Sequence, residues 1–526
     1  MKHFFFSALA FCLWLNSYAQ TIRVFKNPSG DSTRRSIIKI TGLPDGNLVQ
    51  LGQVESDNNV DVSLTKVTPE GAIVWQKTFG TQNLDAVNNF IRLSDGGFAV
   101  VGYSDNPDDD GQMMIIKTDS LGIPQWAKLF GGNGFEEAFG VSELSNGEIL
   151  VFGRTDSFSG LTVMALGAKF SASGELIWQK VFRFGSQSSY LYKAFEISSN
   201  EIIVCGYAWN LDAGPSTGFD PLFVKITANG DITTSNRLKM NNFQILYDWE
   251  RAPDGGIYWA GTSSIPSGPN QNVIGKISTE LTPVWTTLIG TPRYDRIWDM
   301  AVAPGGELVL SGFINKTTND QSRRNGFVGT ISSTGTFLNA MEFGSNDTNT
   351  TELTGITLLN GKAYAAGVTY GYGNTFGGGI SIAIDPLNLS QICNAVPVAM
   401  TSTNPTVTNI RKDTAFDGGT SSEPDIVFGD NNEEIQTICT FVSIQNLSKS
   451  EGPGFFPNPG NGEFRVRFAG SKLRKISIYS TQGSLIQTQE NTEADVTIHL
   501  KDKPAGLYRV IVSTDHDVFQ TTLVKK

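Results

Sequence analysis

Carboxylates at recurring positions are the side chains of this sequence with the clearest potential for chemistry. Asp85, Glu136 and Asp295 each stand ten residues before a turn position of their own sequence repeat, namely Asp95, Asn146 and Gly305. Equal spacing predicts equivalent positions, where one repeat ends and the next begins. Paired carboxylates there could perform acid–base work on glycosidic bonds or bind a cation. Their recurrence favours the alternative, in which each one hydrogen-bonds its own connecting loop, as Asp commonly does.

Histidine-based chemistry is excluded from most of the chain. The three histidines, His3, His499 and His516, lie near its two ends. Without a histidine between them, neither a Ser-His-Asp arrangement nor a histidine zinc site can form there. A partial calcium-loop pattern over residues 106–111 has Lys117 where the bidentate glutamate would stand. We therefore expect no cofactor and no metal site, and we assign no catalytic residue.

The elements that must position the carboxylates come from a sevenfold internal repeat with a period of 50 to 55 residues. In each repeat a turn residue is followed, six residues later, by a glycine that closes an apolar strand. These pairs are Gly46/Gly52, Gly96/Gly102, Gly147/Gly153, Asn200/Gly206, Gly255/Gly261, Gly306/Gly312 and Gly361/Gly367. Short strands between Asp-Gly or Asn-Gly turns are hairpin signals. Four such strands make one blade, so the sequence predicts a seven-bladed β-propeller over residues 20–395.

Lysine and tryptophan form a second period. Lys66, Lys117, Lys169 and Lys276 each precede a tryptophan by nine residues, and we interpret these rings as packing between blades. The seventh repeat has no tryptophan strand, whereas residues 22–26 resemble one. We expect this N-terminal segment to supply the outermost strand of the seventh blade, which would remove an open sheet edge.

Loops between the second and third strands differ most between repeats, and variable loops on a regular scaffold often carry binding sites. The variable loops cover residues 208–221, 263–272, 314–325 and 369–379. Their aromatic side chains, Trp209, Tyr370 and Tyr372 among them, could stack on sugars or peptides, or could fold inward. With Asp85, Glu136 and Asp295, they complete the candidate binding residues.

Residues 1–19 have the layout of a secretory signal peptide, with a basic start, an apolar run and a small-x-small cleavage site after Ala19. No later stretch is long and apolar enough for a transmembrane segment. The formal net charge of −11 gives no electrostatic footprint for nucleic acid.

The C-terminal residues 453–526 alternate strands and turns, which predicts a small Ig-like β-sandwich. The motif residues are Pro457, Asn458 and Pro459 at the start, Gly506 and Tyr508 in a Gly-x-Tyr motif, and Lys525 and Lys526 at the end. In these motifs the segment resembles the type A C-terminal sorting domain of the type IX secretion system of Bacteroidetes. The resemblance implies export by that machinery, removal of the domain, and release from or attachment to the cell surface.

Residues 396–452 are rich in Thr, Ser, Asn and Asp and are predicted to be a linker or extension. Cys393 and Cys439 bracket this segment. Export to an oxidising compartment would allow a disulfide between them, although their spacing alone does not establish one.

The sequence as a whole therefore predicts a secreted all-β protein, with a seven-bladed propeller followed by a small sandwich. We interpret the propeller as a binding module for a glycan or a protein. The alternative is an extracellular polysaccharide-acting enzyme that uses the recurring carboxylates, which we expect at one mouth of the propeller's central channel.

Overall fold

The computed structural model describes most of the chain, with short gaps. The described residues are 19–26, 34–56, 59–81, 83–106, 109–158, 162–184, 188–210, 218–240, 243–264, 269–318, 323–344, 349–370, 377–386, 389, 395–405, 408–410, 414–417, 420–422, 427–430, 434–442, 454–456, 460–467, 473–480, 485–490, 495–514 and 518–526. The signal-peptide prediction falls on residues 1–19, which lie almost entirely outside these ranges. The contacts divide the chain into two units, the larger of which comprises residues 22–390 and 395–438.

Antiparallel strands follow one another in four-stranded meanders in the larger unit, and we number the sheets in chain order. Sheet 1 contains β2 (Arg34–Gly42), β3 (Leu48–Ser56), β4 (Asn59–Val67) and β5 (Ile73–Gly80); sheet 2 contains β6 (Leu84–Arg92), β7 (Phe98–Asn106), β8 (Asp109–Thr118) and β9 (Pro124–Gly131); sheet 3 contains β10 (Glu136–Glu143), β11 (Ile149–Thr155), β12 (Met164–Phe170) and β13 (Leu176–Arg183). Sheet 4 contains β14 (Ser189–Ser198), β15 (Glu201–Asn210), β16 (Gly218–Ile226) and β17 (Ile232–Lys239); sheet 5 contains β18 (Gln244–Arg251), β19 (Ile257–Ser263), β20 (Gln271–Ile277) and β21 (Pro283–Gly290); sheet 6 contains β22 (Asp295–Val302), β23 (Leu308–Asn315), β24 (Arg324–Ile331) and β25 (Phe337–Phe343).

Sheet 7 draws its strands from both ends of the larger unit. Its first three strands are β26 (Thr351–Leu359), β27 (Lys362–Thr369) and β28 (Gly378–Ile384), and β1 (Ala19–Lys26) pairs beside β28. The N-terminal segment thus joins the seventh sheet, as the sequence predicts. It is the fourth strand and not the outermost one, because a further strand pairs with its outer edge.

That further strand belongs to a segment of seven short strands, which we call the strap. Its strands are β29 (Ala395–Pro397), β30 (Thr401–Thr403), β31 (Thr408–Ile410), β32 (Thr414–Asp417), β33 (Thr420–Ser422), β34 (Val427–Asp430) and β35 (Glu434–Val442). They pair in chain order with the fourth strands of sheets 6, 5, 4, 3, 2, 1 and 7. The segment predicted as a linker or extension therefore supplies a fifth strand to each of the seven sheets of the larger unit.

Second strands of the sheets are apolar on both faces, and both faces are covered. The strands β11, β19 and β23 are buried along almost their whole length. The buried side chains fall into clusters that span neighbouring sheets, such as the one that joins sheets 2 and 3 through Phe130 and Phe170. This burial explains why these strands lack the alternation of a half-exposed strand.

The nine-residue spacing from lysine to tryptophan is a hairpin register. Lys117 and Trp126 face each other directly on β8 and β9, and the equivalent pairs in sheets 1, 3 and 5 do the same. The indole Nε1 of Trp126 donates to the Ala172 carbonyl of sheet 3 at 3.1 Å. Its ring lies over Gly174, where an added methyl group would come within 2.7 Å of it. The tryptophans therefore pack between consecutive sheets, as the sequence predicts.

The smaller unit includes residues 439–526. Its strands are β36 (Gly454–Phe456), β37 (Glu463–Arg467), β38 (Leu473–Ser480), β39 (Leu485–Glu490), β40 (Asp495–His499), β41 (Gly506–Thr514) and β42 (Val518–Lys525). They form a three-stranded sheet, in the order β36-β37-β40, and a four-stranded sheet, in the order β39-β38-β41-β42. Buried residues of both sheets share one apolar cluster, which includes Phe464, Ile478 and Val510.

Candidate functional site

Each sheet of the larger unit has a β-bulge in its first strand. In sheet 3 the pairing of β10 with β11 skips Phe139, and in sheet 6 the pairing of β22 with β23 skips Trp298. The seven skipped residues are Ile38, Asn88, Phe139, Tyr192, Tyr247, Trp298 and Thr354. A bulge bends its strand and re-aims a side chain, and bulges are frequent beside functional sites.

All seven skipped residues line one cavity of about 230 Å³, which we call the bulge cavity. Four of them, from the consecutive sheets 3 to 6, are aromatic. The rings of Phe139 and Tyr192 stack with centroids 4.5 Å apart and an interplanar angle of 12°, and those of Tyr247 and Trp298 meet edge to face at 4.8 Å. Ile38, Asn88 and Thr354, from sheets 1, 2 and 7, complete the lining. The cavity thus has an aromatic wall on one side and smaller side chains on the other.

Polar contacts hold the aromatic wall in place. The guanidinium of Arg296 lies 4.7 Å from the ring centre of Trp298 and 5.1 Å from that of Tyr247. Trp298 Nε1 donates to Glu352 at 3.3 Å. The hydroxyl of Tyr192 lies 3.0 Å from that of Tyr207. Rings that are packed and hydrogen-bonded in this way are held in defined positions.

Polar residues that directly follow four of the bulges also line the bulge cavity, and we call these four residues the floor. Lys39 and Lys193 line it together with Asp248 and Asn89. Lys39 Nζ lies 2.5 Å from Asp299 Oδ1. The same four floor residues also line a second cavity of about 510 Å³, which we call the polar cavity. The two cavities therefore adjoin at these four residues.

Ion pairs and backbone hydrogen bonds fix the floor. Lys193 Nζ lies 2.6 Å from Glu250 and 3.9 Å from Asp248. The Asp248 carboxylate accepts the Met300 N–H of sheet 6 at 3.0 Å, and Asp299 accepts the Ile356 N–H of sheet 7 at 2.7 Å. Each carboxylate thereby connects its own sheet to the next one.

Protonation in the floor follows from burial and from an excess of carboxylates. Burial alone would lower the pKa of Lys39, but attraction to Asp299 and Asp248 outweighs it and the pKa is raised. Burial raises the pKa of Asp299 to about 7, although Lys39 opposes this shift, and the charge of Asp248 adds to it. Both lysines therefore stay charged at neutral pH, whereas Asp299 titrates near it.

The carboxylates singled out from the sequence lie elsewhere. Asp85, Glu136 and Asp295 are fully buried at the starts of β6, β10 and β22, and none of them lines the bulge cavity. Each accepts a hydrogen bond from the backbone N–H of the residue four positions earlier. The distance from that nitrogen to the carboxylate oxygen is 2.9 Å for Glu136 and 2.6 Å for Asp295. Burial raises the pKa of Asp85 and Glu136, and raises that of Asp295 to about 7. These hydrogen bonds match the alternative in which each carboxylate bonds its own connecting loop.

The aromatic residues predicted from the variable loops lie in different surroundings. β15 and β16 extend into the predicted loop 208–221, so that Trp209 is a strand residue whose ring packs against Phe219 at 4.9 Å. The other variable loops are shortened by strands in the same way. Tyr370 is half-buried beside the Arg34 guanidinium, 5.9 Å from its ring centre. Tyr372 lies outside the described residues. Binding by these residues stays a prediction.

The bulge residues were missed although the sequence carries a signal for them. Six of the seven stand eight residues before the turn residue of their repeat, and Thr354 stands seven before Gly361. No single residue type marks this column, and it lies outside the glycine-bounded strands from which the repeat is recognised. An aligned column with four consecutive aromatic residues would have been the clue.

In the smaller unit, the sorting motif residues that the structure describes tie one exposed loop to the sheets. The Tyr508 hydroxyl donates to the Pro504 carbonyl at 2.5 Å, and Lys525 Nζ donates to the Lys501 carbonyl at 2.8 Å. Gly506 has a φ of +151°, which other residues rarely adopt. Lys526 is exposed. Pro457, Asn458, Pro459 and Cys393 lie outside the described residues, so the proline motif and the Cys393–Cys439 disulfide stay predictions.

Residues 454–526 match the family described as "Secretion system C-terminal sorting domain". This segment is a type IX secretion sorting domain. The protein is therefore secreted or attached to the cell surface, and the secretion machinery handles it. Among the residues that the structure describes, no helix has the length and apolarity needed to cross a membrane.

The other comparisons concern the chain as a whole. No curated protein matches it. Among solved structures, it is similar to a protein of unknown function from Dyadobacter fermentans DSM 18053, with a TM-score of 0.40, 11% identity, and coverage of 69% of this chain and 97% of that one. It is also similar to the polysaccharide lyase Uly1, with a TM-score of 0.37, 11% identity, and coverage of 66% and 90%.

Proposed function

We propose that the larger unit is a closed seven-bladed β-propeller that acts as the glycan-binding module of a secreted protein. Contacts between sheets 7 and 1 support the closure. Thr354 Oγ1 donates to the Ile37 carbonyl at 2.7 Å, and the Gly42 N–H donates to Thr357 Oγ1 at 3.2 Å. These bonds join the last repeat to the first, which is what a ring requires.

Arg23 of β1 gives the closure further support. Its side chain lies over Gly71 of sheet 1, as the tryptophans of other sheets lie over the equivalent glycines, and an added methyl group on Gly71 would come within 2.2 Å of it. The guanidinium also reaches the Pro69 carbonyl at 3.4 Å. Sheet 7 thus packs on sheet 1 as sheet 2 packs on sheet 3.

The sorting domain is proposed to be an Ig-like sandwich that directs the propeller out of a Bacteroidetes cell. Its two sheets share one core, and the bond from the Tyr508 hydroxyl to the backbone four residues earlier resembles the tyrosine corner of such sandwiches. The predicted signal peptide would carry the chain to the periplasm first.

One observation carries the binding role: seven bulges, one from each sheet, bring their residues together around the bulge cavity. A ligand pocket typically combines an apolar or aromatic lining with a few convergent polar groups. Aromatic rings such as Trp298 can stack on the apolar C–H face of a sugar ring, and the carboxylate, ammonium and amide groups of the floor can bond its hydroxyls.

A protein ligand fits this cavity less well. A stable protein interface buries about 800 Å² on each partner, over a broad and fairly flat surface. A cavity of about 230 Å³ can admit only a small group. The site therefore favours a sugar among the two ligand classes that the sequence leaves open.

Native gels cast with laminarin, pullulan, xylan, alginate or polygalacturonate test the proposal on the purified protein. We expect at least one of them to retard the protein, and Trp298→Ala to weaken this retention about tenfold or more because it removes a stacking wall. Leu338→Ala is the matched control, since Leu338 lies in the same sheet and is 55% exposed. Equal retention of all three proteins on every gel would refute the bulge cavity as the site.

Reducing ends measured in the same gels test the enzymatic alternative. A binding module should release none. New reducing ends that disappear on substitution of Asp85, Glu136 or Asp295, in variants that still fold, would instead support a polysaccharide-acting enzyme.

A further inference from the structure

Charged side chains stand beside the bulge residues, two positions earlier in the first strands of three sheets. These residues are Glu137, Arg296 and Glu352, and we call them the flanking charges. Residues two apart in a strand share one face of the sheet. Contacts agree with this placement, because Asn88 Nδ2 donates to Glu137 at 3.1 Å and Trp298 Nε1 donates to Glu352 at 3.3 Å. The flanking charges therefore lie against the lining of the bulge cavity.

Arg296 is the flanking charge that no carboxylate compensates. Glu137 pairs with Arg154 at 3.1 Å, and Glu352 pairs with Arg324. Arg296 has no ion pair within the part of the chain that the structure describes. Three arginines thus stand beside two glutamates, and this group of side chains carries one net positive charge.

Aromatic rings surround the Arg296 guanidinium, and one of its terminal nitrogens keeps its donors. The guanidinium lies 4.7 Å from the ring centre of Trp298 and 5.1 Å from that of Tyr247, both of which line the bulge cavity. Its Nη2 donates to the Tyr294 hydroxyl at 2.6 Å, whereas Nη1 has no partner among the described residues. A guanidinium holds its N–H donors in one plane, which matches the two oxygens of a carboxylate. The arrangement therefore suits a ligand that carries a carboxylate.

The carboxylates in and next to the floor do not cancel this preference. Arg296 precedes Trp298 by two residues and Asp299 follows it, so roughly 10 Å of strand separates the two charges. This distance is about one Debye length at 0.1 M salt. Lys39 and Lys193 also compensate two of the three carboxylates of that cluster. A carboxylate bound at Arg296 would thus meet attraction nearby and only weak repulsion from the floor.

We propose that Arg296 binds the carboxylate of a uronic acid, so that the bulge cavity takes an acidic glycan. This inference rests on the proposed glycan-binding function and adds to it the charge of the sugar and the residue that recognises this charge. The sugar ring lies against the aromatic wall, with its carboxylate toward Arg296 and its hydroxyls toward the floor.

Native gels that contain a uronic acid polymer or its carboxyl-reduced form test this preference on the purified protein. Reduction turns each carboxylate into a primary alcohol and leaves the sugar ring in place. We expect alginate or polygalacturonate to retard the protein, and the reduced polymer to retain it about tenfold more weakly or less, because a charge-assisted hydrogen bond is lost. General attraction would not explain retention, because the chain has a formal net charge of −11 and repels a polyanion.

Substitution of Arg296 separates recognition of the carboxylate from support of the wall. Arg296→Gln should lower retention on the native polymer about tenfold and leave retention on the reduced polymer unchanged. Arg183→Gln is the matched control, since it also removes one positive charge, and Arg183 is an exposed residue of β13 that lines neither cavity. An equal loss on both polymers with Arg296→Gln would show that Arg296 only positions the rings, and would overturn the inference.

Other results would overturn the inference and leave glycan binding intact. Retention on laminarin, pullulan or xylan without retention on either uronic acid polymer would show a preference for a neutral sugar. Equal retention on the native and reduced polymers would show that the carboxylate is not recognised. Absence of retention on every polysaccharide would instead remove the proposed function, and the inference with it.

Discussion

At the scale of single residues, the three recurring carboxylates lie in fully buried positions, where burial disfavours their charged forms. Asp295 is fully buried and accepts the Thr291 N–H at 2.6 Å through one oxygen, whereas its other oxygen has no hydrogen-bond partner among the residues that the structure describes. Burial raises its pKa to about 7, because the charged form is poorly solvated. Lysine pairing lowers the pKa of exposed turn carboxylates such as Asp254, where the hydrogen bond from Lys276 is the largest cause.

Asp295 should make the protein less stable as the pH rises. Its folded pKa is above the unfolded one, so its contribution is most favourable below about pH 4 and is lost toward pH 7, at no more than about 1.4 kcal/mol per pH unit. Asp295→Asn keeps the acceptor for Thr291 and carries no charge. We therefore expect the variant to gain stability relative to wild type between pH 4 and pH 7, measured by urea unfolding.

Asp254→Asn is the control, because its effect on stability should change with pH in the opposite direction. The folded pKa of Asp254 is lowered, so its stabilising contribution is present above the unfolded pKa and is lost as the pH falls. A difference between wild type and Asp295→Asn that does not change with pH would show that Asp295 is not charged and buried in the way described.

At the scale of elements, the sequence predicts the features that form within a single hairpin. A turn glycine, an apolar second strand and the pairing of Lys117 with Trp126 all follow from spacings within one hairpin, and the structure contains them. The bulges could not be predicted in this way, because a bulge is defined by pairing with a neighbour and its residue varies from Ile38 to Trp298. Lys39 of the floor, in sheet 1, pairs with Asp299 of sheet 6, a contact across 260 positions of sequence.

Ring packing should contribute more than the indole hydrogen bond where one sheet meets the next. Trp126→Ala removes the ring from Gly174 and should cost about 3 kcal/mol, the lower end for tryptophan truncation because the ring is half-buried. Trp126→Phe keeps a ring and loses the bond to Ala172, at about 1 kcal/mol. Denaturant unfolding measures both. If the two variants were equally destabilised, the hydrogen bond would be the larger contribution.

At the scale of the whole molecule, the strap connects what the repeats build separately. It visits the larger unit's sheets in the reverse of their chain order, from sheet 6 to sheet 1, and ends on sheet 7 beside β1. The sequence gives only weak strand signals there, because each strap strand before β35 has three or four residues and pairs with a partner far away in the chain. Each fourth strand would otherwise present an unpaired edge, which is a template for association with other chains.

Loss of the strap should therefore affect both stability and association. A protein ending at residue 394 lacks all seven strap strands, whereas one ending at residue 450 keeps them and lacks the sorting domain. We expect the shorter protein to unfold at a lower temperature, because each lost strand removes backbone hydrogen bonds worth about 0.5–1.5 kcal/mol apiece. We also expect it to associate as its concentration rises, because seven edges become available at once. Thermal unfolding and light scattering of the two proteins measure these effects. If the shorter protein stayed monomeric and its unfolding temperature were unchanged, the sheets would not depend on the strap for stability or for protection of their edges.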